Sequence, residues 1–185
     1  MTTVVDHLLG QDAPFLALPA PAAMSPPDVA RRHGLDPAEL IWTEVVMTIG
    51  GPVAMAIGAG RSLDLELARA AAGDPTASLA SHDEVRAFAR GCEPGAVPPL
   101  SRFLGAPVFV DAPIAAMAHV TFPAGVVSVL ICMVREDLFA VEPVRVAPLS
   151  RRAGPVPSSG FNVVAPTRRA AFSGEPLVPY HLRAG

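Results

Sequence analysis

Alternating apolar and polar positions predict a pair of strands in the first third of the chain. One face of the first strand carries Ile41, Thr43, Val45, Met47 and Ile49. Gly50-Gly51 then supplies a two-residue turn of the kind that closes a hairpin. In the returning strand, small alanines lie on the face opposite Val53, Met55 and Ile57. The pattern therefore predicts a β-hairpin whose one face is lined by small side chains.

Further strands and helices follow from similar signals. Strands are predicted at Pro107–Val110, His119–Phe122 and Val126–Met133, with edge strands at Phe15–Leu18 and Val144–Val146. The apolar character of Val126–Met133 indicates a central strand. Helices with capping signals are predicted from Ser25 to Gly34, from Ser62 to Gly73 and from Ser81 to Gly91, and shorter ones at Thr3–Gly10 and Arg135–Val141. Since strands and helices do not alternate strictly, we expect an α+β fold, with a mixed β-sheet and surrounding helices.

The regular pattern ends after Val146, where prolines become frequent. We therefore expect a folded domain at residues 1–146 and a Pro- and Arg-rich C-terminal extension at residues 147–185. The charge changes near the same place: residues 1–142 hold 16 acids and 8 arginines, for a net −8, whereas residues 143–185 hold one acid and 6 arginines, for a net +5. Scattered apolar residues in the extension could dock on the body or on a second subunit, which would make a homo-oligomer.

The composition excludes several classes of chemistry. All 14 basic residues are arginines, so the chain has no P-loop lysine, no Schiff-base lysine and no lysine general base. Cys92 and Cys132 have no metal-ligand spacing, and we expect neither a metal nor a cofactor. The N-terminus lacks the features of a signal peptide, and Val126–Val134 is too short to span a bilayer. A cytoplasmic protein is expected.

The segment Gly91–Leu100 (G-C-E-P-G-A-V-P-P-L) carries the most specific chemistry. Pro94 and Gly95 suit the two central positions of a type II turn. Such a turn would leave the amides of Gly95, Ala96 and Val97 free of helix and sheet bonds, so that they could converge on an oxyanion or a carbonyl. The alternative is an ordinary proline-rich loop. Asp64 and Asp111 are interpreted as capping residues rather than as an acid or a base.

Several segments, in this order and spacing, resemble the YbaK/EbsC family from about Val4 to Val146. They are the early helix Pro26–Gly34, the hairpin segments Thr43–Val46 and Pro52–Ile57, the R-x-L-D-L segment Arg61–Leu65, the L-A-S-x-x-E-V segment Leu79–Val85, the G-x-x-x-P loop Gly95–Pro99, and the strand ends Val108–Asp111 and Phe122–Gly125. Members are prolyl-tRNA-synthetase-associated domains that deacylate mischarged tRNAs.

The resemblance implies an aminoacyl-tRNA deacylase that acts in trans on the ester of mischarged tRNA. The substrate carbonyl would face the amides of the G-x-x-x-P loop, where backbone donors stabilise a developing oxyanion. The catalytic residues expected from this likeness are Gly95, Ala96, Val97 and Thr43. Those expected to contact the substrate are Pro99, Val45, Met47, Ala56, Phe122 and Gly125.

Thr43 marks a departure from the family pattern, because members usually carry a lysine at this position. A histidine found in many members is also replaced, near Ala20. Two interpretations remain: a divergent deacylase that uses Thr43 and the loop amides, or an inactive module of the same fold that binds a small amino-acid-like ligand or a protein partner. The acidic body also weakens the case for tRNA, since affinity for polyanions depends on neutralised phosphates.

Overall fold

The central hairpin consists of β2 (Ile41–Thr48) and β3 (Gly51–Gly58). This computed structural model describes residues 3–20, 28, 32–36, 39–89 and 91–152. In it, β2 and β3 pair along their whole length. Ile49 and Gly50 form the two-residue connection, one position before the predicted Gly50-Gly51. Gly51 is instead the first residue of β3, where its φ of +109° is accessible to glycine.

A five-stranded mixed sheet is built on this hairpin, in the order β5-β2-β3-β6-β9. The added strands are β5 (Ser78–Leu79), β6 (Val108–Asp111) and β9 (Val144–Ala147). β5 and β2 pair antiparallel, whereas β3, β6 and β9 run parallel. The predicted mixed sheet is confirmed, and β9 lies at its edge as expected.

A three-stranded antiparallel sheet lies beside it, in the order β1-β8-β7, with strands β1 (Leu16–Pro19), β7 (His119–Pro123) and β8 (Val129–Val134). β8 is central, as its apolar sequence indicated. It begins at Val129 rather than Val126, because the preceding residues form a turn. A bridge between Leu40 and Thr121 joins this sheet to the start of β2.

Helices pack around the two sheets. They are α1 (Val4–Leu9), α2 (Leu65–Ala72), α3 (His82–Phe88), α4 (Ser101–Leu104) and α5 (Arg135–Val141), together with a 3₁₀ helix at Ala112–Ala116. The capping box predicted at Ser81 is present. Asp64, not Ser62, caps α2, since its carboxylate accepts the amides of Glu66 and Leu67. Most of the helix predicted from Ser25 to Gly34 lies outside the described residues.

The two faces of the five-stranded sheet bury separate hydrophobic clusters. Val45, Ala54 and Ala56 belong to the larger cluster, which also contains residues of α1, α4, the 91–100 loop and the three-stranded sheet. Val46 and Met55 belong to the smaller cluster, with residues of α2. Successive residues of β2 and β3 point to opposite faces, so each strand contributes to both clusters. The alanine face therefore belongs to the larger core.

Packing continues past residue 146, the predicted end of the domain. Leu149 is fully buried in the smaller cluster, and β10 (Ser150–Arg152) pairs with β4 (Arg61–Leu63). The carboxylate of Asp111 accepts the Leu149 amide at 2.8 Å and the Ser150 hydroxyl, and lies 3.3 Å from Nε of Arg61. Asp111 is the N-cap residue of the 3₁₀ helix by position, but its side chain makes no capping bond there, so the side-chain cap predicted for it is wrong. Its carboxylate instead anchors the chain beyond 146. The predicted docking of later tail residues lies outside the described residues.

Candidate active site

The segment Glu93–Ala96 forms the predicted type II turn. Gly95 has a φ of +77°, and the Ala96 amide donates to the Glu93 carbonyl at 3.0 Å. This hydrogen bond is the one that closes a β-turn. The prediction that the Ala96 amide is a free donor is therefore wrong, because the turn itself uses that donor.

Two amides of the loop remain as donors. Within the described part of the chain, the N–H groups of Gly95 and Val97 have no protein acceptor. Gly95 is exposed, whereas Ala96, Val97, Pro98, Pro99 and Leu100 are buried. The loop is thus anchored by its second half and presents its turn at the surface. A buried amide without an acceptor costs free energy, so Val97 in particular would gain from a ligand oxygen.

A second loop is joined to the first by hydrogen bonds through Gly125. The Gly125 amide donates to the Ala96 carbonyl at 3.1 Å, and the Glu93 amide donates to the Gly125 carbonyl at 2.8 Å. Gly125 is buried and has a φ of +85°, a conformation that favours glycine. The G-x-x-x-P loop and the strand end Phe122–Gly125 are therefore adjacent in the fold.

Thr43 lies on the same face of the five-stranded sheet as the buried part of this loop. It stands between Ile41 and Val45 in β2 and opposite Ala56 in β3, and all three belong to the larger core, which also contains Val97. Its hydroxyl is buried and has no hydrogen-bond partner among the described residues. Thr43 thus carries a polar group whose hydrogen-bonding capacity is unused among the described residues.

The residues predicted to contact substrate divide into two groups by burial. Val45, Ala56 and Phe122 are 3%, 0% and 0% exposed and pack in the larger core. Pro99 and Gly125 are also buried, and Met47 is half-buried near the hairpin end of β2. Side chains with no accessible surface pack behind a binding site and do not form the surface that a substrate would touch. Their contact with a substrate stays a prediction.

Glu142 is a buried carboxylate near the loop that the sequence analysis did not identify. It is 2% exposed, and one oxygen accepts the amide and hydroxyl of Ser101 at 2.9 and 3.1 Å. The other oxygen has no partner among the described residues. Burial raises the pKa of Glu142, an effect that the bonds from Ser101 partly offset. No local motif marks this residue, because its partner lies 41 positions away.

Burial also shifts the pKa values of other titratable groups. Burial raises the pKa of the Cys92 thiol, which keeps this side chain protonated and weakly nucleophilic. Burial lowers the pKa of His7, and nearby Arg102 lowers it further. The pKa of Glu44, on the opposite face of β2, is raised by burial, with a smaller opposing effect from His82.

Arg102 differs from most arginines of the described chain. Arg61, Arg69, Arg86, Arg135 and Arg151 each form an ion pair with a carboxylate. Arg102 is exposed on α4, directly after the loop, with no carboxylate partner among the described residues. No group of three His, Cys, Asp or Glu side chains within these residues could hold a metal ion.

Comparison with known families identifies the fold. The family model for the aminoacyl-tRNA editing domain matches residues 20–141, and the chain belongs to this family. The resemblance to YbaK-type proteins is therefore confirmed. No curated protein matches the chain significantly. Within the described residues, no helix has the length and apolar character needed to cross a bilayer.

Solved structures share this architecture at low sequence identity. A candidate trans-editing enzyme for prolyl-tRNA synthetase is 22% identical, with a TM-score of 0.67, over 74% of this chain and 87% of that one. A protein described as hypothetical is 21% identical, with a TM-score of 0.72, over 80% and 99%. A candidate signal transduction protein from Marinobacter aquaeolei VT8 is 18% identical, with a TM-score of 0.62, over 80% of this chain and 30% of that one. These likenesses establish the α+β fold.

Proposed function

We propose that this editing domain is an aminoacyl-tRNA deacylase that hydrolyses the ester of a mischarged tRNA in trans. The observation that carries the proposal is the 91–100 loop, whose Gly95 and Val97 amides have no acceptor among the described residues. The unpartnered hydroxyl of Thr43 lies on the sheet face against which this loop packs. Membership of the editing family supports the substrate class.

In the proposed reaction, a water molecule attacks the carbonyl carbon of the aminoacyl ester. The negative charge that develops on the carbonyl oxygen is stabilised by the Gly95 and Val97 amides, which need no reorganisation if the loop is rigid. The ester C–O bond to the ribose then breaks, and the ribose oxygen takes up the proton that the attacking water loses. The products are the free amino acid and the uncharged tRNA. Thr43 would orient the water or the substrate amine by a neutral hydrogen bond.

The second candidate is a binding module of the same fold without catalysis. It is favoured by one observation: the chain contains no lysine, so neither Thr43, where the resemblance leads one to expect a lysine, nor any other residue can supply a lysine's positive charge. Its ligand would be small and amino-acid-like, as the resemblance to the family implies.

A panel of mischarged tRNAs, incubated with the full chain, tests the first proposal. Loss of the ester is followed by acid-precipitable label, with spontaneous hydrolysis in buffer as the baseline. Hydrolysis of at least one pair well above buffer is expected. No ester loss above buffer for any pair would remove the enzyme proposal. Calorimetric titration with amino acids and with non-hydrolysable aminoacyl-adenosine analogues then tests the binding module.

A further inference from the structure

We propose that Glu93 is a positioning residue that holds the G-x-x-x-P loop in shape by bonding it to the turn at Gly125–Val127. This inference rests on the proposed function, since it concerns the donors that would act there. Nothing in the sequence pattern singled out Glu93. Its role becomes visible only in the contacts between two loops that are more than 30 residues apart in sequence.

Glu93 joins the two loops through both its main chain and its side chain. Its amide donates to the Gly125 carbonyl at 2.8 Å, and its carbonyl accepts the Ala96 amide at 3.0 Å. Its Oε2 atom accepts the Val127 amide at 2.7 Å. The Gly125 amide closes the arrangement by donating to the Ala96 carbonyl at 3.1 Å. Three hydrogen bonds thus connect the two short segments, and the fourth closes the turn within the first of them.

Only the bond to Val127 depends on the identity of the side chain, because any residue except proline could make the two main-chain bonds. A carboxylate that accepts a backbone N–H makes a charge-assisted hydrogen bond, which is shorter and stronger than a neutral one. Glu93 and Val127 are both exposed, so the carboxylate contributes no packing to the core. The hydrogen bond from the Val127 amide to the Glu93 side chain therefore acts on the shape of the loop.

The consequence for the site follows from the position of Ala96. Both its N–H and its C=O are engaged in this arrangement, and it lies between the two amides that remain as donors, Gly95 and Val97. Fixing the Ala96 peptide groups therefore restricts the amides on either side. Donors that stabilise an oxyanion must be held in place before the reaction, and a displacement of about 1 Å can cost about a hundredfold in rate.

The substitutions Glu93→Ala and Glu93→Gln, made in the full chain, test this role in turnover. Glu93→Ala should lower kcat on mischarged tRNA by about tenfold and leave KM within about twofold, because misplaced donors weaken transition-state stabilisation more than binding. Glu93→Gln keeps an acceptor oxygen and should recover most of the lost rate.

Asp74 offers a matched control. Its carboxylate also accepts one distant loop amide, that of Ile49, at 2.7 Å, but at the hairpin end of the sheet. Asp74→Ala should lower the unfolding temperature and leave kcat unchanged when the protein is fully folded. If Glu93→Ala lowers kcat no more than Asp74→Ala, or if Glu93→Gln gives no recovery, the positioning role is overturned.

Amide hydrogen exchange, read by NMR, tests the link between the loops without any turnover. Glu93→Ala should speed exchange at Ala96 and Gly125, and Asp74→Ala should leave both rates unchanged. Unchanged rates at Ala96 and Gly125 in Glu93→Ala would overturn the proposal even if the wild-type chain is an active deacylase. If the wild-type chain hydrolyses no ester, the proposed function fails, while faster exchange still supports the positioning of the loop by Glu93.

Discussion

Thr43 lies directly opposite Ala56 in the central hairpin, and its buried hydroxyl has no hydrogen-bond partner in the described chain. An unsatisfied buried hydroxyl costs free energy that a methyl group of the same shape would not. A fold keeps such a group at a cost to its stability. Because this hydroxyl lies on the sheet face that shares its core with a loop carrying two unengaged amides, a contact with substrate or water would explain why it is present.

Thr43→Val should separate stability from function. Replacing the hydroxyl by a methyl group should raise the free energy of unfolding by about 1 kcal/mol and lower the rate of ester hydrolysis by up to about tenfold. Urea unfolding and a deacylation assay measure the two effects. Thr48→Val is the control on the same strand: its hydroxyl donates to Gly51 and accepts from Gly50, so the variant should be less stable. A Thr43→Val protein that is fully active would exclude a role for the hydroxyl.

Gly125→Ala should reduce both stability and activity. An added Cβ would meet Val4 at 3.5 Å and Cys92 at 3.6 Å, which are ordinary contacts, so the cost comes from the φ of +85°. We expect a loss of about 1–2 kcal/mol in the free energy of unfolding, together with slower deacylation as the adjoining loop shifts. Gly73→Ala, at a φ of +69° with open space around it, should lose similar stability but no activity. Equal activity in both variants would contradict this expectation.

Arg102→Gln should weaken tRNA binding through the loss of one phosphate contact. A cation without a carboxylate partner is available to a polyanion, whereas Arg86 is already paired with Asp83 at 3.0 Å. The variant should reduce the slope of log K against log salt by about 1, with little change in the rate at saturating tRNA. Arg86→Gln should leave this slope nearly unchanged. Identical slopes for the two variants would place the tRNA elsewhere.

Leu149→Ala should show that the packed domain extends beyond residue 146. Leu149 is 0% exposed, so its truncation should cost about 2–5 kcal/mol in the free energy of unfolding. Val146→Ala is the comparison, since this side chain is 50% exposed and should cost less than about 1 kcal/mol. Denaturant unfolding of both variants measures the difference. Similar small losses would mean that residues 147–152 contribute little to the fold.

Glu142→Gln should change how stability depends on pH. Burial raises the pKa of Glu142 in the folded protein above its ordinary value of 4.5, so between these two values the folded state binds more protons than the unfolded state. Wild-type stability therefore falls as pH rises through that window. Glu142→Gln cannot ionise and lacks this pH-dependent loss of stability. Its free energy of unfolding should therefore rise relative to that of wild type as pH increases.

Asp74→Asn should show the opposite dependence of stability on pH. Hydrogen bonds from the Thr76 hydroxyl and the Ile49 amide lower the pKa of Asp74, so its ionised form is favoured by folding. The deficit of Asp74→Asn relative to wild type should therefore grow as pH rises through the ordinary aspartate range. Urea unfolding from about pH 3 to about pH 7 compares the variants. A pH-independent difference for Glu142→Gln would contradict the raised pKa.

Much of the local structure follows from nearest neighbours in sequence. The hairpin strands, the capping box at Ser81 and the type II turn at Pro94-Gly95 depend on side-chain alternation, on caps three residues apart and on backbone preferences, all of which are local. The family likeness came from the order of such segments, and the α+β fold was predicted because strands and helices do not alternate strictly. Periodicity also placed Thr43 on the same face as Val45.

Long-range contacts decided the remainder. Three hydrogen-bonded pairs are 34, 41 and 39 residues apart: Glu93 and Val127, Ser101 and Glu142, and Asp111 and Ser150. They leave no periodic signal, because each pair is joined only when separate elements pack. The same holds for the burial of Leu149, whereas the Ala96 amide is occupied locally, by the Glu93 carbonyl three residues earlier. Sequence alone determined which local backbone conformations were available. The tertiary structure decided which backbone donors were left unpaired, because pairing depends on which acceptors the folded chain brings within about 3 Å.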